Sequence, residues 1–160
     1  MLRKGLDFYM EIAIAHEKDL GTVSRITQIT IREIYPKYYP AGAVDFFCKH
    51  HSEDKIAADI KVGKVYILTD EGQQVGTVTI ESNHINRLFV LPKYQGRGYG
   101  RALMDFAENK ALENNDTIVL DSSLPAKKIY MKRGFKETEY HMINTGNGDF
   151  LCYDVMVKHK

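Results

Sequence analysis

The stretch from Arg87 to Arg101, RLFVLPKYQGRGYGR, constrains the fold more than any other part of the chain. Leu88, Phe89, Val90 and Leu91 form a short apolar run of the kind that lies inside a sheet. Pro92 ends it, because proline cannot donate to a ladder and holds its predecessor extended. Gly96, Gly98 and Gly100 then alternate with Arg97 and Tyr99, after which Leu103, Phe106, Ala107 and Ala111 recur on one helical face. The order is strand, glycine turn, helix N-terminus. Free backbone N–H groups and the positive end of the helix dipole make that order an anion site.

Two phosphate-binding patterns are excluded. The dinucleotide fingerprint GxGxxG, counted from Gly96, needs glycine where the chain has Arg101, and no Gly-Lys-Ser/Thr of a Walker loop follows. What remains is Gln95-x-x-Gly98-x-Gly100 behind a strand that ends in proline. This resembles the acyl-CoA pyrophosphate loop of the GNAT superfamily of N-acetyltransferases, whose pattern is Gln/Arg-x-x-Gly-x-Gly/Ala. A plain strand-to-helix turn is the alternative for these residues taken alone.

Charge distribution agrees with a phosphate-bearing ligand. The net charge of +1 implies no bulk attraction to nucleic acid, and no aromatic–basic RNA motif occurs. Yet Lys93, Arg97 and Arg101 form one acid-free basic segment, and Lys127, Lys128, Lys132, Arg133 and Lys136 another. At 160 residues the chain is expected to form a single domain over 1–160 with a real core. Cys48 and Cys152 sit among apolar neighbours and read as small core residues, not a disulfide or metal framework. Near the N-terminus Arg3 and Lys4 precede no clean apolar run, because Asp7 and Glu11 interrupt it, and no segment approaches membrane-spanning length. A cytoplasmic protein is expected.

In order, the pattern predicts a strand over 9–15, a helix over 17–35 stopped by Pro36, and a tyrosine-rich loop, Tyr35-Pro36-Lys37-Tyr38-Tyr39-Pro40. A second helical segment covers 44–60, broken near Ser52, with His50 and His51 read as surface residues. A β-meander follows at 65–69, 74–81 and 84–91, then a helix over 98–114 and a buried strand over 117–121. Pro125 opens a short helix that ends before Gly134, and a hairpin over 135–143 and 149–157 closes the chain.

A second segment, Ser123 to Phe135 (SLPAKKIYMKRGF), resembles the other GNAT motif, a tyrosine four residues before a Gly-Phe pair. Here these are Tyr130, Gly134 and Phe135. The order of elements matches the family along essentially the whole chain. The resemblance implies an α/β (α+β) fold: a mixed, mostly antiparallel central sheet splayed at strand 4 and flanked by helices, with acyl-CoA in the resulting V. By position, the amides of Phe89, Val90 and Leu91 would face the pantetheine and thioester, and Gln95, Gly96, Arg97, Gly98, Tyr99, Gly100 and Arg101 would form the pyrophosphate loop. Many members carry Asn seven residues before the tyrosine, in contact with CoA; here Ser123 takes that place, and a weaker contact is implied.

The implied reaction is direct transfer of acetyl from acetyl-CoA to a primary amine of a small molecule or peptide, without a metal. Val90 N–H would stabilise the oxyanion and Tyr130 would protonate the departing thiolate. The base is left between His84, Glu81 and water. Tyr35, Tyr38 and Tyr39 either line the acceptor pocket or staple their loop to the core. The partners implied are acetyl-CoA and an amine, with no nucleic acid and no membrane; a homodimer is compatible with the resemblance. A non-catalytic acyl-CoA-binding or sensing module of the same fold is the competing reading.

Overall fold

The computed structural model describes residues 10–160. Tyr9, expected to begin the first strand, and Arg3, Lys4 and Asp7 lie outside them. The strands are β1 (Glu11–Ile14), β2 (Val65–Asp70), β3 (Gln73–Glu81), β4 (His84–Val90), β5 (Thr117–Ser122), β6 (Lys136–Asn144) and β7 (Phe150–His159). The helices are α1 (Leu20–Ile34), α2 (Ala41–His50), α3 (Glu53–Lys61), α4 (Tyr99–Ala111) and α5 (Leu124–Lys132). The predicted helix over 17–35 is thus one 3-10 turn (Glu17–Asp19) followed by α1, and α2 already begins at Ala41, directly after Pro40. Among the described residues no helix is long and apolar enough to cross a membrane.

One seven-stranded sheet runs β1-β2-β3-β4-β5-β7-β6, antiparallel except where β4 and β5 run parallel. This is the mixed, mostly antiparallel sheet with flanking helices that the resemblance implied. Successive strand residues point to opposite faces, so each face has its own core. Val78, Val90, Leu103, Met104, Ala107, Leu120 and Met156 pack between the sheet and α4. Ile26, Ile31, Tyr35, Val44, Phe89, Leu91 and Leu151 pack beneath α1 and α2. Spacing of three and four residues along α1 puts Val23, Ile26, Thr27, Thr30 and Ile31 on its buried side.

Parallel pairing between β4 and β5 is brief: only His84↔Val119 and Ile85↔Leu120 are in register. Beyond Ile85 the two strands part. Immediately after that point β4 carries a bulge. Thr79 faces Asn86 and Thr77 faces Phe89, so Arg87 and Leu88 stand opposite Val78 alone. Arg87 adopts φ +45°, a left-handed conformation that costs a non-glycine residue about 1–2 kcal/mol. Its side chain holds it there: Nε donates to Thr79 Oγ1 at 3.3 Å, and the buried guanidinium pairs with Asp59 of α3.

Removing the acid would leave that guanidinium buried without its counterion. Asp59→Ala is therefore expected to destabilise the fold by about 2–4 kcal/mol. Glu113→Ala, which breaks the exposed Lys110–Glu113 pair, should change stability by less than about 0.5 kcal/mol. Urea unfolding of the two variants checks the contrast; equal midpoints would show that the Arg87 pair does not hold the bulge.

Candidate active site

Where β4 leaves β5, a cavity of about 1240 Å³ passes from one face of the sheet to the other. Thr30, Tyr35 and Phe47 line it on the α1/α2 side, and Met104, Ala126 and Tyr130 on the α4/α5 side. Between them the exposed edge of β4 contributes Leu88, Phe89 and Val90.

At the α4/α5 end, Gly96 (φ +76°) and Gly98 (φ +89°) turn the chain sharply into α4, with Gly98 as its N-cap. Ala102 N–H donates to Gly98 O at 3.0 Å, so the earlier N–H groups of Tyr99, Gly100 and Arg101 have no acceptor within the helix. A Cβ placed on Gly98 or Gly100 would meet nothing within 4 Å. The space beside these amides is open, and Gly96, Gly98, Tyr99, Gly100 and Arg101 all line the cavity. Arg101 and Lys132 also line it, and neither forms an ion pair among the described residues. The site suits a polyanion. Gln95 also lines the cavity and its Nε2 donates to Val90 O at 3.0 Å, whereas the Arg97 guanidinium lies over the Tyr94 ring at 5.5 Å, off the cavity wall. Tyr99 OH donates to Asp70 Oδ2 at 2.5 Å, which anchors the first turn of α4 to the end of β2.

Backbone accounting along β4 shows which amide is free. Leu91 N–H donates to Val75 O at 2.9 Å, so the Leu91 amide belongs to the ladder with β3 and Leu91 is not on the wall. In an antiparallel ladder the preceding residue turns its N–H and C=O to the other edge. For Val90 that edge is the side from which β5 has departed. Its C=O accepts from Gln95 Nε2 and from Thr30 Oγ1 at 3.4 Å, and the same register turns its N–H to the cleft side. Phe89 presents its ring to the α1/α2 side, 6.0 Å from the His51 ring.

Tyr130 owes its position to the end of α5. Phe135 N–H donates to Tyr130 O at 3.1 Å and Gly134 N–H to Met131 O at 3.1 Å. With Gly134 at φ +93°, this is a Schellman cap. Such a cap brings the residue after the glycine against the residue five positions earlier, and the Tyr130 and Phe135 rings meet edge-on at 5.9 Å. The spacing Tyr-x-x-x-Gly-Phe is therefore the geometry of a helix terminus. Burial pushes the Tyr130 phenol up to about 12, so it keeps its proton at any physiological pH. Ser123, the N-cap of α5, lines the same wall.

The α1/α2 end differs from the sequence expectation. Of the three tyrosines, Tyr35 lines the cavity. Tyr39 is buried, its hydroxyl accepting the Leu124 N–H at 2.7 Å, and Tyr38 is exposed; neither is on the wall. His50 and His51, read from sequence as surface residues, both line the cavity. His51 packs near Phe47 and Phe89, and burial, with His50 and Arg87 nearby, pushes its pKa down to about 3. Neither His84 nor Glu81 lines the cavity. Glu81 bonds to Lys64 Nζ at 2.5 Å, which holds its carboxyl below the usual range. His84 Nε2 is buried, has no hydrogen-bond partner among the described residues, and lies 3.9 Å from Asp121 Oδ2. Asp121, at the end of β5, does line the cavity. Its sequence signal was an acid closing the buried run TIVLD; the His50-His51 pair carried no sequence signal of its place on the wall. Among the described residues no three His, Cys, Asp or Glu side chains are grouped to hold a metal ion.

Comparison with known proteins gives this cleft a context. Residues 34–148 match the model of the acetyltransferase (GNAT) domain. An uncharacterised N-acetyltransferase from the pepI 3′ region of Lactobacillus delbrueckii subsp. lactis is 25% identical over 92% of this chain and 98% of its own length. A GCN5-related N-acetyltransferase from Rhodopseudomonas palustris superposes with a TM-score of 0.85 at 24% identity, covering 94% of this chain and 96% of that one. The PaiA N-acetyltransferase of Thermoplasma acidophilum, solved with coenzyme A, gives 0.74 at 18% identity, covering 95% and 99%. YncA from Salmonella typhimurium, solved with acetyl-CoA, gives 0.69 at 14% identity, covering 94% of each chain. Since the domain match covers well over half of its length, the chain belongs to the GNAT acetyltransferase family.

Proposed function

We propose that this protein is an acetyl-CoA-dependent N-acetyltransferase that moves the acetyl group directly to a primary amine, working as one domain over residues 1–160 in the cytoplasm. The reading rests on the register of β4, which turns the Val90 N–H away from β3 and toward the edge that β5 has left, in a cleft whose far end is a polyanion cradle. The relatives solved with coenzyme A and acetyl-CoA support the identity of that polyanion. Acetyl-CoA supplies the thioester. The amides of Tyr99, Gly100 and Arg101, with the side chains of Arg101 and Lys132, hold its phosphates. Val90 N–H faces the thioester carbonyl and stabilises the negative charge that develops on its oxygen; one such donor is worth about 3 kcal/mol.

Tyr130 holds a proton for the departing sulfur, a role that suits a phenol pushed up to about 12. The incoming amine arrives from the α1/α2 side and must shed a proton there. His84, 3.9 Å from the wall residue Asp121, is better connected to that end than Glu81, which is committed to Lys64. The sensing-module alternative uses the same cradle but needs no proton-bearing group at the sulfur.

Acetyl-CoA at a hundredfold excess over its dissociation constant should stabilise the fold by about 2.7 kcal/mol. Gly100→Val should remove most of that shift while leaving the free protein folded. The position has no left-handed φ, and the added Cβ enters open space. Differential scanning fluorimetry with and without acetyl-CoA checks this. A full shift in the variant would place the phosphates elsewhere. Tyr130→Phe keeps the ring against Phe135 and should retain acetyl-CoA affinity while lowering acetyl transfer by about a hundredfold. Undiminished transfer, with chemistry limiting the rate, would contradict the acid role.

A further inference from the structure

The two ends of the cleft carry opposite electrostatic character. Free cations, Arg101 and Lys132, stand at the α4/α5 end. The remaining cavity-lining arginines and lysine are already paired: Arg87 with Asp59, Arg133 with Asp105 and Glu108, Lys158 with Glu108. Among the described residues only one carboxylate lines the cavity, that of Asp121. It sits on β5 one residue beyond the last pair with β4, at the apex where the strands part. Alternation along β5 turns it away from Leu120, which packs against the α4 side, and toward α1 and α2. Nearly half of its side chain is exposed (48%), and its nearest basic group is the His84 ring at 3.9 Å. Among the described residues no lysine or arginine lies within ion-pair distance of it.

On the same α1/α2 side the cavity wall is aromatic. Phe46 and Phe47 of α2 reach the cavity beside His50 and His51, with Phe46 stacked on His50 at 5.7 Å and 10°. Tyr153 of β7 packs against the same cluster and also lines the cavity. His51 stays neutral, since burial holds its pKa near 3, so it adds aromatic surface and no positive charge. A lone carboxylate set in aromatic walls complements a ligand with one cationic end and an apolar, planar body. It does not complement a second carboxylate, which would lie beside Asp121. It offers only one acid to a polycation.

We infer that the acceptor is an arylalkyl primary amine, bound with its ammonium at Asp121 and its ring between the α2 aromatics and Tyr153. This rests on the acetyl-transfer reading given above and adds the substrate class.

The test uses the full chain with acetyl-CoA and three amines of matched simplicity: 2-phenylethylamine, L-phenylalanine and spermidine. The second adds a carboxylate to the first, and the third replaces the ring with further cations. Thermal shift with acetyl-CoA is measured first, so that failure of the cofactor reading is seen by itself. Given acetyl-CoA binding, CoA release with 2-phenylethylamine is expected to exceed that with either other amine by at least tenfold in kcat/KM. Asp121→Asn should raise the KM for 2-phenylethylamine at least tenfold, with a much smaller change in kcat and no change in acetyl-CoA affinity. Phe46→Ala should raise the same KM and narrow the gap to spermidine. Preference for spermidine or phenylalanine, an unchanged KM in Asp121→Asn, or no turnover of 2-phenylethylamine by a protein that binds acetyl-CoA would each overturn the inference.

Discussion

The structure depends on a strand that loses its neighbour. β4 pairs with β3 on both sides of its bulge, from His84 to Val90, but with β5 at only two positions. Every polar backbone group on the abandoned edge must then find another partner or face a cleft. Val90 O finds Gln95 and Thr30, while Val90 N–H remains directed into the cavity. The fold thus supplies a preorganised donor with no side chain devoted to it, and the same parting of strands opens the passage through which both faces of the sheet reach that donor.

The parting is kept open by restraints that lie outside the cleft chemistry. The bulge at Arg87 twists β4 immediately after its last contact with β5, and the Asp59 and Thr79 partners of Arg87 fix a backbone conformation that arginine would otherwise avoid. On the opposite bank, Glu108 of α4 accepts from Arg133 at 2.7 Å and from Lys158 at 2.8 Å, tying the end of α5 and β7 to α4. Tyr39 does the same for the start of α5 by accepting from Leu124. With both ends of α5 fixed, the Schellman cap sets the depth at which Tyr130 enters the cleft.

Much of this was legible in the sequence because it is local. The strand, proline, alternating glycines and helix of 87–111 announce an anion site through backbone chemistry alone. Tyr130, Gly134 and Phe135 carry a helix terminus in their spacing. The long-range features were not legible. The aromatic run of 35–39 reads as one pocket wall, yet a 3-10 turn over Tyr35–Lys37 sends Tyr35 inward to the cavity, Tyr39 under α5 and Tyr38 to solvent. His50 and His51 look like surface residues because the helix break that follows them does not reveal that β4 lies beneath. Asp121 and His84 are far apart in sequence and meet only because two strands are parallel for two residues.

Backbone amide resonances on addition of acetyl-CoA test the central claim most directly. Val90, Tyr99, Gly100 and Arg101 are expected to show the largest shifts and slowed hydrogen exchange, while Leu91, already bonded to Val75, changes little. Protection confined to other strands, or a Val90 amide that exchanges equally fast with and without saturating acetyl-CoA, would contradict it.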